Sequence, residues 1–118
     1  MYNPGIITRT ATEALAAARR VKLTSGSGTA VEYADAADDY IGVTTAAAVI
    51  GGVVPVALKR ANPGTVEITA AAAITAGATI YGAADGKVST ISSSTDKYGV
   101  ALEAASGDGA VIESLMDD

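Results

Sequence analysis

With 118 residues and a net charge of −5, the chain has the length of one domain with a single modest core. Cysteine and histidine are both absent, which excludes disulfides, the usual zinc sites, His-activated nucleophiles and histidine pH switching. Hydrophobic residues make up 49%, but Phe and Trp are missing and the apolar content is mostly Ala, Val and Ile; at about 25 cal/mol per Å² such a core is thin, so stability leans on sheet hydrogen bonds or on burial between chains, and an oligomer is favoured.

The charge is uneven. Residues 1–23 carry Arg9, Arg19, Arg20 and Lys22 against Glu13, a net +3, and the rest of the chain is −8. An acidic body lacks the Lys/Arg stripe that phosphate neutralisation needs, which disfavours nucleic acid. The basic N-terminal edge is either a surface that steers onto an acidic protein or an ordinary solvated strand face. No run of about 18 apolar residues and no basic-then-apolar leader is present, so neither a membrane span nor a signal peptide is expected, and synthesis is expected in cytoplasm.

In chain order, Met1 to Thr10 has Pro4 against helix, Gly5 for a turn and the β-branched run Ile6-Ile7-Thr8. It reads as an extended N-terminal arm over residues 1–10, either ordering on a partner or frayed, ahead of a single β domain over 11–118. Residues 10–23, TATEALAAARRVKL, and 69–82, TAAAAITAGATIYG, are alanine-rich enough for helices yet end in strand-like alternation. They also match one another: Thr10-Ala11 with Thr69-Ala70, Ala14-Leu15 with Ala73-Ile74, Ala17 with Ala76 and Val21 with Ile80, all 59 residues apart. Further on, Tyr40-Ile41-Gly42-Val43 resembles Lys97-Tyr98-Gly99-Val100 with the glycines 57 apart, and Val54, Val56 and Leu58 align with Val111, Glu113 and Leu115 at that same spacing. The two-residue slip falls in the turn Ser25-Gly26-Ser27-Gly28. This is an internal duplication, with repeat units at about 11–60 and 65–118.

Duplication decides between helix and strand, because Gly77-Ala78-Thr79-Ile80 is poor helix material and the first copy must share its shape. Each unit is predicted as an alanine-rich turn or single helical turn and then strands: 20–24 and 29–33 in the first, 78–82 and 88–91 in the second. The Gly-Val strand follows in each, and then a last strand at 53–59 or 110–115. Asp85-Gly86 marks a type I′ hairpin turn, and 65–69 is a bridging strand between units. Pro55 suggests an edge strand or a bulge. Asn62-Pro63-Gly64 reads as a tight turn and Ser92 to Thr95 as a loop. The fold class is therefore all-β, a small barrel or sandwich of roughly nine short strands.

Three stretches have residues of the kind that carry chemistry. Gly82-Ala83-Ala84-Asp85-Gly86-Lys87-Val88 echoes a phosphate-binding loop, but it is one residue short between the glycines, has Val88 where a hydroxyl is required and precedes no helix, so it reads as a hairpin turn. Asp35-Ala36-Ala37-Asp38-Asp39 lacks the spacing and closing Glu of a calcium loop and reads as a solvated turn. Tyr40 and Tyr98 read as paired core plugs. No active site, cofactor or metal is expected.

The segments ALAAARRVKL, VEYADAADDYIGV, GATIYGAADGKV and YGVALEAASGDGAVIESL, in this order from about Thr10 onward, together resemble the small capsid cement, or head decoration, proteins of tailed bacteriophages. That resemblance implies a compact all-β structural protein on the outer surface of the virion capsid, commonly a homotrimer at three-fold positions, clamping neighbouring major capsid protein subunits. It also implies an N-terminal segment that reaches the shell. The residues assigned to that contact are Tyr2, Ile6, Ile7, Thr8, Arg9, Arg19 and Arg20. The alternative is a carbohydrate-binding or adhesive β module on the virion surface; an enzyme ranks last.

Overall fold

The computed structural model describes residues 6–24, 26, 28–59, 65–92 and 97–116. Ten strands run through them: β1 (Ile6–Ala11), β2 (Arg20–Leu23), β3 (Ala30–Tyr33), β4 (Gly42–Thr44), β5 (Val53–Leu58), β6 (Val66–Thr69), β7 (Thr79–Gly82), β8 (Val88–Ser89), β9 (Lys97–Ala101) and β10 (Val111–Met116). The fold is all-β, as the sequence predicts. The alanine-rich stretches after Ala11 and Ala70 are irregular turns, each pinned by one antiparallel bridge, Leu15 to Ala48 and Ile74 to Ala105. Those two bridges are the same contact in the two copies.

The first five strands close into a barrel in the order β1-β3-β2-β4-β5. The second five form the sheet β6-β10-β9-β7-β8, the same cyclic order, with its two ends joined by a single parallel bridge from Ala70 to Val88. Val21, Val31, Val54 and Val56 fill the first barrel with Ala11 and Leu15. Ile68, Ile74, Ile80, Val88, Tyr98 and Ile112 fill the second. The period-2 alternation of short Val/Ile strands puts one row inside and the other outside.

Three expectations need correction. Residues 6–10 are not an arm: they are the greater part of β1, paired antiparallel with β5 from Ile6–Ala57 to Thr10–Val53 and parallel with β3 at Thr10–Ala30. Repeat 1 therefore begins at Ile6, and the supposed bridging strand β6 is its counterpart in repeat 2; residues 1–5 lie outside the described residues. The last strands align at a spacing of 58, since Gly52 N–H donates to Val49 O and Ala110 N–H to Gly107 O in the equivalent turns. Val54 and Val56 thus match Ile112 and Ser114, all buried, and Ser106 is the extra residue of the second turn. A slip of one residue exchanges the two faces of a strand. Finally, Pro55 is in β5 between two neighbours, not at an edge; β4 pairs with β5 only from Val56 onward, so the missing N–H falls where that ladder has ended.

Asp85 and Gly86 both have positive φ, 58° and 74°, the backbone that a type I′ turn requires. The predicted turn at 62–64 and nearly all of the predicted loop at 92–95 lie outside the described residues.

Candidate functional site

Repeat 2 covers one outward row of the first barrel. Arg20, Val43 and Ala57 are neighbours across β2, β4 and β5, all face away from that barrel's interior, and each is at most 1% exposed. Arg20 runs into the second repeat and donates from Nε to Lys87 O (3.0 Å) and from Nη2 to Ala83 O (2.8 Å), Ala34 O (3.0 Å) and Asp35 O (3.2 Å). Its guanidinium also stands 5.7 Å from the centre of the Tyr40 ring. Planar geometry and a fork of donors suit arginine to this cradle of carbonyls. Gly82 makes room for it, since a Cβ there would lie 2.8 Å from Arg20 Cζ.

The chain just before Arg20 enters the seam of the second sheet. In repeat 1, Thr10 N–H donates to Thr29 O across the β1–β3 seam; in repeat 2 the equivalent donor, Thr69 N–H, turns instead to Ala18 O at 2.8 Å. Gly86 N–H closes the junction on Ala34 O at 2.9 Å. The phosphate-loop lookalike is therefore the socket for Arg20, and its Lys87 pairs with Asp108 at 2.8 Å. Tyr40 and Tyr98 stack with centroids 5.4 Å apart, both buried, as core plugs. The β4–β9 register makes Ile41, not Tyr40, the counterpart of Tyr98, so Tyr40 is a repeat 1 side chain lodged in the core of repeat 2. The acidic turn folds on itself, with Asp38 accepting from Asp35 N–H and from Lys22 at 2.9 Å each.

Two equivalent outer faces remain open, and their chemistry differs. On repeat 1, Thr8, Thr10 and Val53 lie on the β1–β5 face beside the turn that carries Val49 and Ile50; Val49, Ile50 and Val53 are 73%, 70% and 69% exposed. On repeat 2, Glu67 stands directly across from Glu113 on the β6–β10 face, Glu103 joins them at the rim of a 240 Å³ cleft, and Val111 and Leu115 are exposed alongside. A second cleft of 280 Å³ runs between the repeats and is lined mainly by Ile6, Ala17, Ala57, Val66 and threonines.

The residues named from sequence separate accordingly. Ile6 and Thr8 are exposed, and Ile7 packs on the first core. Arg9 is half-buried, with Nη1 on Thr8 O, in a shallow cleft shared with Thr10, Thr29 and Val53. Arg19 lies over the Tyr33 ring at 5.5 Å and donates to Asp85 O at 3.1 Å, next to the junction. Arg20 is fully buried, so its role is internal and it presents no surface to a partner. Tyr2 lies outside the described residues. Sequence reasoning missed the Val49-Ile50 tip and the glutamate face; aligning the turn at 48–52 with that at 105–110 exposes the first, since Val49-Ile50 then faces Gly107-Asp108.

This arrangement defines a duplicated small-barrel β protein whose open features are faces and shallow clefts. The family model for "Phage cement protein" matches residues 3–115, nearly the whole sequence, and the chain belongs to that family. Its members are structural phage proteins, not enzymes, which makes this chain a capsid-associated structural protein. In fold it is similar to the crystal structure of the head fiber gp8.5 N base in bacteriophage phi29, with a TM-score of 0.75 and 18% identity over 95% of this chain and 92% of that one. No curated protein matches the sequence significantly.

Proposed function

We propose that the protein is a decoration subunit that seats on the outer surface of the assembled phage head as a homotrimer and holds neighbouring major capsid subunits together. Membership of the cement family is the observation that carries this reading. The mechanism is linkage: a ligand that binds the assembled lattice and not its dissociated subunits stabilises the lattice by mass action, repeated over many copies. The task requires a rigid body with adhesive faces, and a closed barrel locked to a second sheet through a buried arginine supplies one. For the shell contact we retain Ile6, Thr8 and Arg19 from the sequence-named edge, together with Tyr2; polar steering by Arg19 suits an acidic capsid surface.

The test is cosedimentation with empty shells before and after expansion, combined with the temperature at which the shells disrupt. The expected result is saturable binding that raises the disruption temperature and is weakened by Thr8→Asp with Arg19→Glu. Removing residues 1–9 is unsuitable, because it strips most of β1 from the barrel. A failure to sediment with either form of shell rejects the proposal.

A further inference from the structure

The duplication provides an internal comparison for the surface. The turns at 48–52 and 105–110 make the same hydrogen bonds, Gly51 N–H to Ala11 O and Gly109 N–H to Ala70 O, each at 2.8 Å. The second turn does this with Gly107-Asp108 where the first has Val49-Ile50, so folding does not require the two most exposed large apolar side chains among the described residues. Beside that tip Arg9 lines the cleft shared with Val53, and among the described residues no carboxylate pairs with it. The equivalent face of repeat 2 has the opposite character. Glu67 and Glu113 oppose each other across β6 and β10, an unfavourable like-charge pair. Glu103 is held nearby, accepting from Glu113 N–H at 2.7 Å, and among the described residues no lysine or arginine pairs with any of the three.

We infer that these faces are made for each other on different copies: the Val49-Ile50-Val53 tip and Arg9 of one chain dock head-to-tail on the Val111-Glu113-Leu115 stripe, with Glu67 and Glu103, of a second chain. Apolar side chains meet apolar side chains, and the cation enters the glutamate cluster, relieving its repulsion. A contact between two different faces repeats around a ring and closes where the rotation allows, leaving no tip or stripe uncovered. The inference rests on the self-association proposed above and assigns its surfaces.

The experiment needs no capsids. Molar mass is measured by light scattering for the wild type, for Ile50→Asp, which copies the second repeat, and for Glu113→Arg with Leu115→Ser; circular dichroism verifies that each is folded. The wild type should be a multiple of the 11.6 kDa chain and each variant a monomer. A 1:1 mixture of the two variants should give a heterodimer and nothing larger, through the one intact tip and the one intact stripe. A monomeric wild type defeats self-association itself. An oligomer that survives both variants, or a mixture that stays monomeric, defeats the face assignment alone, and a wild-type monomer whose shell binding is lost in Ile50→Asp gives the tip to the capsid instead.

Discussion

Ala18 and Gly77 occupy the same position in the two alanine-rich turns and share a left-handed backbone, φ 60° and 86°. The second copy uses the residue that suits this conformation and the first does not. A Cβ at Gly77 would meet open space, so Gly77→Ala isolates the backbone penalty and should destabilise by about 1 kcal/mol. Ala18→Gly removes that strain but gives up a buried methyl and adds freedom to the unfolded chain, so it should stay within about 1 kcal/mol of wild type. Urea unfolding of both variants reads the contrast.

Arg20 should be the most sensitive charged residue in the protein. Replacing it with Met takes a donor from the carbonyls of Ala34, Asp35, Ala83 and Lys87, of which all but Ala83 keep a backbone N–H, and a loss of roughly 2–3 kcal/mol is expected. Arg20→Lys should rescue little, because one ammonium cannot reproduce the planar fork. Thermal unfolding should remain a single transition, since the arginine joins both repeats; two resolved transitions in the wild type would contradict this.

Gly42 lies under β5, where an added Cβ would clash with the carbonyl of Ala57. Gly42→Ala forces β4 off its partner and should destabilise by about 2–3 kcal/mol or prevent folding. Chemical denaturation measures it, with Gly107→Ala, where an added Cβ would meet open space, as the unperturbed control.

Stability should fall at both ends of the pH scale. Asp38 is held below its ordinary 3.8 by the Asp35 N–H and then by Lys22, and Asp108 is held below it by its hydrogen bond from Lys87. Groups lowered in the fold stabilise it above the unfolded value, and that contribution disappears as pH drops through the folded one, so acid loss begins below about pH 4. On the alkaline side burial raises Tyr98 above 10.0 and the Asp38 hydrogen bond raises Lys22 above 10.5; their contributions are complete below those values and vanish as pH climbs past them. Thermal midpoints should be level between about pH 5 and 9, and Asp108→Asn should blunt the acid decline.

The all-β class and the duplication were legible because Thr10-Ala11, Leu15, Val21 and Gly42 recur as Thr69-Ala70, Ile74, Ile80 and Gly99, positions that close the same bridges in each copy. The register of the last strand was not, because inserting Ser106 in a glycine turn leaves no mark on an alternating pattern. β1 escaped notice because its antiparallel partner lies more than forty residues away and short-range signals do not reach that far. Arg20 shares a strand face with Lys22, so alternation sent both to solvent; only the packing of repeat 2 over the first barrel separates them. The surface tip, in turn, becomes visible only after the two turns are correctly superposed.

Because the β6–β8 seam borrows Ala18 O, and the hairpin at 84–86 is wrapped around Arg20, the second repeat is no longer self-sufficient. The two copies thus share one set of contacts, and neither is complete without the other. Fragments 1–59 and 65–118, expressed separately, should each be poorly folded and yet complement one another when mixed, the arginine finding its socket across the break.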